Sequence, residues 1–304
     1  MKRSTVAWGL AGIGCAGLLV AGLVVVLLAA VSSEEGGGGG LALGGRVGVA
    51  DLEGVLLTAE PLRETLGKFR SSPTVKAVVV RVNSPGGGVA ASQEIHREIL
   101  RFRRETGRPV AVSMEGVAAS GGYYASAAAE RVFANPGTIT GSIGVILQWV
   151  NYGDLLDWAR LRPVTFKSGA LKDAGNPSRP LTEEEKAYFQ ELIDRMRAQF
   201  QKAVSEGRGE RLAPGALERM SDGRVVTGEE ALALGLVDEI GDLRDAIDWA
   251  ARRAGLSLPA AVWHPKPPRA GLLSILSSRA DETVAGRLLA GVPVGGGWNA
   301  YYLW

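Results

Sequence analysis

Ser113–Ala129 reads SMEGVAASGGYYASAAA, and its interpretation decides the fold. The apolar run Pro109–Met114 reads as a buried strand that leads into this stretch. Ala118-Ala119-Ser120-Gly121-Gly122 then reads as a sharp exit from that strand into a helix. Glycines at the corner allow a tight turn and the close approach of another backbone. The small residues Ala125–Ala129 suit a helix packed hard against a sheet. Two readings of Ser120 follow. Its hydroxyl either caps the helix or stands as an acyl-transfer nucleophile beside free backbone N–H groups that favour an anion.

Working outward, strands and helices alternate. Arg46–Gly54 is a strand, Glu60–Phe69 a helix with Leu62, Leu66 and Phe69 at helical spacing, and Val75–Val82 (VKAVVVRV) a strand apolar on both faces. Asn83–Gly88 (NSPGGG) ends that strand, and a helix covers about Val89–Thr106 with Ile95, Ile99, Leu100 and Phe102 inward. Arg131–Ala134 is a short strand and Asn135-Pro136-Gly137 a turn. This alternation predicts an α/β fold with a mainly parallel sheet and right-handed crossovers. In such sheets the site lies at the carboxyl ends of the strands, where both Gly86–Gly88 and Ser120 fall.

Further on, Tyr152–Arg160 reads as a helix, Val164–Lys167 as a strand and Ser168–Pro180 as a loop. Thr182 and Glu185 form a capping-box pattern that opens a helix running to about Glu206, and Thr227 with Glu230 forms a second. Leu243–Arg253 is the last helix of this region. After Pro259 the composition shifts, and the segment from Leu272 ends in GGGWNAYYLW, more aromatic than a disposable tail needs.

Composition excludes several classes. The 304 residues carry a net charge of +2, and no Lys/Arg block interleaves with aromatics, which argues against nucleic acid as a partner. Cys15 is the only cysteine and His96 and His264 the only histidines, so neither a disulfide framework nor a zinc site is expected. Neither metal nor cofactor is called for. Lys2 and Arg3 precede an uncharged apolar run, Val6–Val31, long enough for a tilted membrane helix. Charge asymmetry then puts the N-terminus in the cytoplasm and the remainder outside the cell (inner) membrane. Glu34–Gly45, with five consecutive glycines, reads as a tether of roughly 15–20 Å mean span.

A serine nucleophile needs a base. His96 lies in a helix flanked by charges and reads as a surface residue; His264 lies in a Pro-rich break. That leaves lysine, which must be neutral to act. Lowering its pKa from about 10.4 to about 7–8 costs about 3–5 kcal/mol against the charged form, a cost that burial in an apolar site supplies. Lys167 and Lys172 are both candidates on position. Asp173 would raise the pKa of Lys172 if its carboxylate turned that way. A neighbouring hydroxyl is the safer orienting partner.

NSPGGG (83–88), AASGGYY (118–124), TGSIGV (140–145), KSGALKDAGNPSRPLTEEE (167–185) and DGRVVTGEEALALGLVDEIG (222–241) together resemble the signal peptide peptidase A family. The resemblance covers about Val47–Gly255. It implies a ClpP/crotonase fold and a membrane-anchored serine endopeptidase that degrades residual signal peptides and other small apolar peptides. It implies Ser120 as nucleophile, Lys172 as general base with Lys167 non-catalytic, and Ser142 as the hydroxyl that orients the base. Backbone N–H groups of Gly86, Gly87 and Gly88, with Gly121, match the oxyanion hole. The domain plan is then an anchor at 1–33, a tether at 34–45, a peptidase domain at 46–256 and a tail at 257–304. One copy of the unit resembles the short form, which assembles as a homo-oligomeric ring of eight. Alternatives are a crotonase-type acyl-CoA enzyme, against which the anchor and missing catalytic carboxylates argue, and an inactive membrane scaffold. The aromatic tail is a candidate to lie in the substrate groove.

Overall fold

The computed structural model describes residues 45–265 and the backbone of 300–303. The expected anchor and nearly all of the tether lie outside the described residues. Among the described residues no helix is long and apolar enough to cross a membrane.

Strands β1 (Arg46–Leu56), β2 (Val75–Gly88), β3 (Val110–Ala119) and β4 (Arg131–Ala134) form a parallel sheet. Helix α1 (Glu60–Ser71) links β1 to β2, and α2 (Val89–Thr106) links β2 to β3. Valine alternation on β2 explains why both faces are covered. Val78, Val80 and Val82 meet Leu62, Leu66 and Phe69 of α1 and Ile95, Ile99 and Phe102 of α2 in one core. Ala77 and Val79 point the other way, with Val47, Val49, Ala111 and Phe133. There they meet the alanine stripe Ala246, Ala250 and Ala251 of helix α8, Leu243–Arg253. Gly107, at φ 64, ends α2 in the left-handed conformation and its N–H returns to the Arg103 carbonyl.

The strand through NSPGGG does not stop at Val82 as the sequence suggests. Asn83–Gly88 stays in β2 because Val55 and Leu56 of β1 pair with Gly86 and Gly87. A side chain on Gly87 would have its Cβ 2.2 Å from the Leu56 carbonyl oxygen, so only glycine lets the two strands run this close. On the opposite edge, β3 keeps pace with β2 as far as Ala118 opposite Ser84 and then turns away. Beyond β3 lie α3 (Gly121–Ser126), β5 (Ile139–Gly141), which pairs with β3, and β6 (Ile146–Leu147). Short strands β7 (Val225–Val226), β8 (Glu239–Ile240) and β9 (Ala261–Trp263) pair with β5, β4 and β1, and short helices α6 (Ala216–Met220) and α7 (Gly228–Ala233) precede α8. Strand β10 (Ala300–Leu303) runs antiparallel between β6 and the Gly86–Gly88 end of β2.

Residues 148–180 form an arm of little regular structure, with the short helix α4 (Gly153–Trp158) and a 3-10 turn at Ala170–Asp173. The expected strand Val164–Lys167 is absent. Its apolar side chains face solvent, Val164 at 78% and Phe166 at 95% exposure, so nothing among the described residues pairs with or covers it. Helix α5 (Glu183–Arg208) starts at the Thr182/Glu185 capping box and packs behind α3. A Cβ on Gly207 would sit 2.1 Å from the Ala127 carbonyl oxygen, which shows how closely α5 approaches the segment after Ser120. Arg208, buried at the end of α5, places both terminal nitrogens 2.8 Å from the Asp238 carboxylate. Removing one member strands the other charge in the interior. Asp238→Ala is expected to lose about 3–5 kcal/mol of stability, measured as a shift in the urea midpoint; a loss below 1 kcal/mol would show that water reaches Arg208.

Candidate active site

Ser120 occupies the strand-to-helix corner with φ 52 and ψ −116, a conformation that a non-glycine residue adopts only when its surroundings enforce it. The enforcement is visible: its N–H donates to the Gly141 carbonyl at 2.8 Å, and its own carbonyl accepts from Tyr124 N–H at 2.8 Å. The hydroxyl does not cap α3. Ser120 has no exposed surface, and its Oγ is the one buried hydroxyl without a hydrogen-bond partner among the described residues. A buried hydroxyl left unpaired costs free energy, so the cap reading fails and the nucleophile reading keeps an observation in its favour.

Around this corner the glycines sit in close contact. A Cβ on Gly121 would stand 2.3 Å from Ser92 Oγ and 3.2 Å from the Gly87 nitrogen. Gly121 and Gly87 are therefore neighbours beside Ser120. Gly86, at φ 108, donates its N–H to Ser84 Oγ at 3.1 Å, and that hydroxyl donates to the Gly54 carbonyl at 2.6 Å. The Gly86 N–H is thus engaged locally, unlike the expectation that treats all three glycines alike. Ser92 Oγ donates to the Gly88 carbonyl at 3.0 Å. Ser84 and Ser92 are both buried and fix the glycine loop from two sides. Sequence reasoning missed them; Ser84 was visible only as a letter of the NSPGGG motif.

Ser142 also has a positive φ, 52, is buried, and donates its N–H to the Arg224 carbonyl at 2.8 Å. It follows Gly141, where a Cβ would meet Met220 at 2.5 Å.

The two lysines differ. Lys167 Nζ bonds Asp173 Oδ1 at 2.5 Å and the Ala170 carbonyl at 3.0 Å. Asp173 thus turns towards Lys167 and Arg179, not towards Lys172. The Lys167 hydrogen bond, with help from Arg179, outweighs desolvation and lowers the Asp173 pKa to about 2. Arg179 in turn grips Glu185 through two bonds of 2.8 and 2.6 Å. This chain of charges holds the 3-10 turn that carries Lys172. Lys172 itself is exposed and has no side-chain partner among the described residues. Within one chain Ser120 and Lys172 are not in hydrogen-bond contact.

Neither histidine is hydrogen-bonded to Ser120 Oγ. His96 is buried rather than on the surface, against the Tyr124 ring at 5.1 Å between centroids. Its helix turns the Ser92–His96–Leu100 face inward, despite the charged neighbours in sequence. His264 bonds Asp51 Oδ2 at 2.7 Å, beside the Arg81 ion-pair cluster. No group of three or more His, Cys, Asp or Glu residues among the described residues is arranged to hold a metal.

The model of peptidase family S49 matches residues 102–257, and the chain belongs to this family. A protein of Enterococcus faecium named for signal peptide peptidase SppA is 40% identical over 183 residues, 60% of this chain and 52% of its own length. Protease 4 of Salmonella typhi is 35% identical over 230 residues, 73% of this chain and 36% of that protein. Serine protease SPPA, chloroplastic, of Arabidopsis thaliana is 35% identical over 67% of this chain and 30% of its own length. The chain thus aligns with about half the length, or less, of these three relatives.

Burial, then the charge of Arg97, lowers the His96 pKa from 6.5 to about 4. Protonation therefore favours the unfolded chain. The resulting loss of stability is absent above pH 6.5, grows as pH falls, and is complete near pH 4. It amounts to about 3 kcal/mol. His96→Phe is expected to remove this part of the acid sensitivity, read as the difference in urea midpoint between pH 7 and pH 4 for the variant and the parent. Equal pH slopes would contradict it.

Proposed function

We propose that this protein is a membrane-anchored serine endopeptidase of the ClpP/crotonase fold in which Ser120 is the nucleophile and Lys172 the general base. The observation that carries the reading is the strained, fully buried Ser120, whose hydroxyl has no structural bond to make. In the reaction, Ser120 Oγ attacks the substrate carbonyl carbon and passes its proton to the neutral Lys172 amine. The oxyanion is held by backbone N–H groups of Gly87 and Gly121, each worth about 3–4 kcal/mol in the transition state. Lys172 then gives its proton to the leaving amine, and water, deprotonated by the same amine, hydrolyses the acyl-enzyme. Ser142 orients the amine. Lys167 is kept from this role by its ion pair with Asp173.

The amine is supplied by a neighbouring copy. The arm that carries Lys172 exposes Val150, Leu155, Trp158, Leu161, Val164 and Phe166, with Trp158 at 82% exposure. Exposed apolar side chains gathered on one arm mark an interaction site. Docking two copies through it covers the arm and takes Lys172 out of water. A ring of such contacts gives the homo-oligomer, with eight subunits in the family's short form. The substrates are apolar peptides such as signal-peptide remnants, laid along the glycine edge of β2 as an added strand. The apolar run at Val6–Val31 supports anchoring near that substrate pool. A crotonase-type acyl-CoA enzyme or a scaffold leaves the strained hydroxyl unexplained.

Ser120→Ala and Lys172→Ala are each expected to lower turnover of a fluorogenic peptide by at least about a thousandfold while leaving thermal unfolding unchanged. Lys167→Ala is expected to keep turnover within about tenfold of the parent. An essential Lys167 with a dispensable Lys172 would reverse the base assignment.

A further inference from the structure

A cavity of about 310 Å³ lies between α2, α5 and the alanine segment that follows α3. Its size is at the small end of ligand pockets, roughly 300–1,000 Å³. Ser120, Gly87 and Gly121 are not among its walls. Leu100, Ala127, Ala129 and Ala203 give it an apolar floor, and charged side chains from α2 and α5 stand around that floor. We propose that this cavity binds a free amino acid or short peptide with an apolar side chain, its carboxylate held by Arg103 and its ammonium by Glu206. The site goes beyond the peptidase reading and holds whether or not Ser120 is a nucleophile.

Three observations support it. The first is a cation without a counter-ion. Arg103 is half-buried and gives Nη1 to the Ala128 carbonyl at 2.6 Å, and it makes no ion pair among the described residues. Burial lowers its pKa, Glu130 raises it and the neighbouring Arg211 charge lowers it, with a net fall. Arg211, on the same cavity, is already spent on the Arg208, Glu130 and Gly207 carbonyls, and the Glu130 carboxylate is held by Arg253 at 2.7 Å. The second is an anion across the floor. Glu206 has only Lys202 near it, at 3.8 Å, and lines the same cavity as Arg103 without pairing with it. Two unpaired opposite charges on either side of an apolar floor fit the two charged ends of an amino acid, and charge-assisted bonds to both ends are the strong ones. With two arginines and two glutamates around it, the cavity does not favour a purely anionic ligand such as phosphate. The third is His96. It is buried, yet neither ring nitrogen has a hydrogen-bond partner among the described residues. Neither nitrogen is sealed off, because the sealed and unbonded polar atoms belong to Arg70 and Ser120. The ring therefore opens into the cavity it lines, where a neutral imidazole offers one donor and one acceptor to a ligand.

The test is calorimetric titration of the full chain with L-leucine, L-leucinamide, 4-methylpentanoate and inorganic phosphate. L-Leucine is expected to bind. Leucinamide, which lacks the carboxylate, and 4-methylpentanoate, which lacks the amine, are each expected to bind at least about tenfold more weakly. This comparison uses the parent chain and depends on no variant folding. Arg103→Gln and Glu206→Gln are each expected to weaken L-leucine binding by a similar factor, and Glu206, on the exposed rim, can be changed without disturbing packing. Ser120→Ala is expected to bind L-leucine as the parent does. No binding of L-leucine up to about 10 mM, or phosphate binding as tightly as L-leucine, would overturn the proposal. Parental affinity in both charge variants would overturn it too. Loss of binding in Ser120→Ala would put the ligand at the serine corner and remove this site, while leaving the peptidase reading standing.

Discussion

Two backbones meet at the end of β2 at a distance that no side chain permits. The Leu56 carbonyl occupies the place where a Gly87 side chain would begin, and Ser92 Oγ occupies the place where a Gly121 side chain would begin. From that constraint the rest follows. The glycine end of β2 stays in the sheet, the corner after β3 closes against it, and Ser120 is driven into a positive φ with its hydroxyl aimed at neither helix nor sheet. Ser84 Oγ accepts from the Gly86 N–H and Ser92 Oγ donates to the Gly88 carbonyl, which ties the glycine backbone in place. The strain at Ser120 is held by the Gly141 carbonyl on one side and the first turn of α3 on the other.

The turn that carries the proposed base is built on different physics. Lys172 is presented by a turn whose stiffness comes from charges, the series Lys167, Asp173, Arg179 and Glu185, rather than from packing. Ion pairs exposed to water contribute little stability singly, but a linked series around one turn fixes its direction. The arm around it has apolar residues that nothing among the described residues covers. A strained serine corner and an exposed apolar arm are the two parts that the proposed mechanism brings together between copies.

Much of this was legible in the sequence, and the misses have physical causes. Helix α2 stops and helix α8 starts where the sequence places them, and each boundary is set by a local device that needs no tertiary context: Gly107 at the C-terminus of α2, and at the N-terminus of α8 an Asp242 side chain that accepts from the Asp245 N–H. Five ordered motifs located the corner and the lysine turn. Val164–Lys167 misled because alternating apolar residues look alike whether they pair within the chain or lie against another one. His96 misled because its neighbours in sequence are charged while its neighbours on the helix face are not. The division of labour among the glycines was hidden, since only coordinates reveal that Ser84 takes the Gly86 N–H. Aromatic composition alone marked the segment near residue 300 as unusual, and its register against Gly86–Gly88 needed the structure.

The account claims that one active site takes its hydroxyl from one copy and its amine from the next. Mixing inactive Ser120→Ala and Lys172→Ala subunits, dissociated and reassembled together, tests this directly. The account predicts that the mixture recovers about a quarter of parental peptidase turnover, because one interface in four then joins an intact serine to an intact lysine. A mixture as inactive as either variant alone would contradict it.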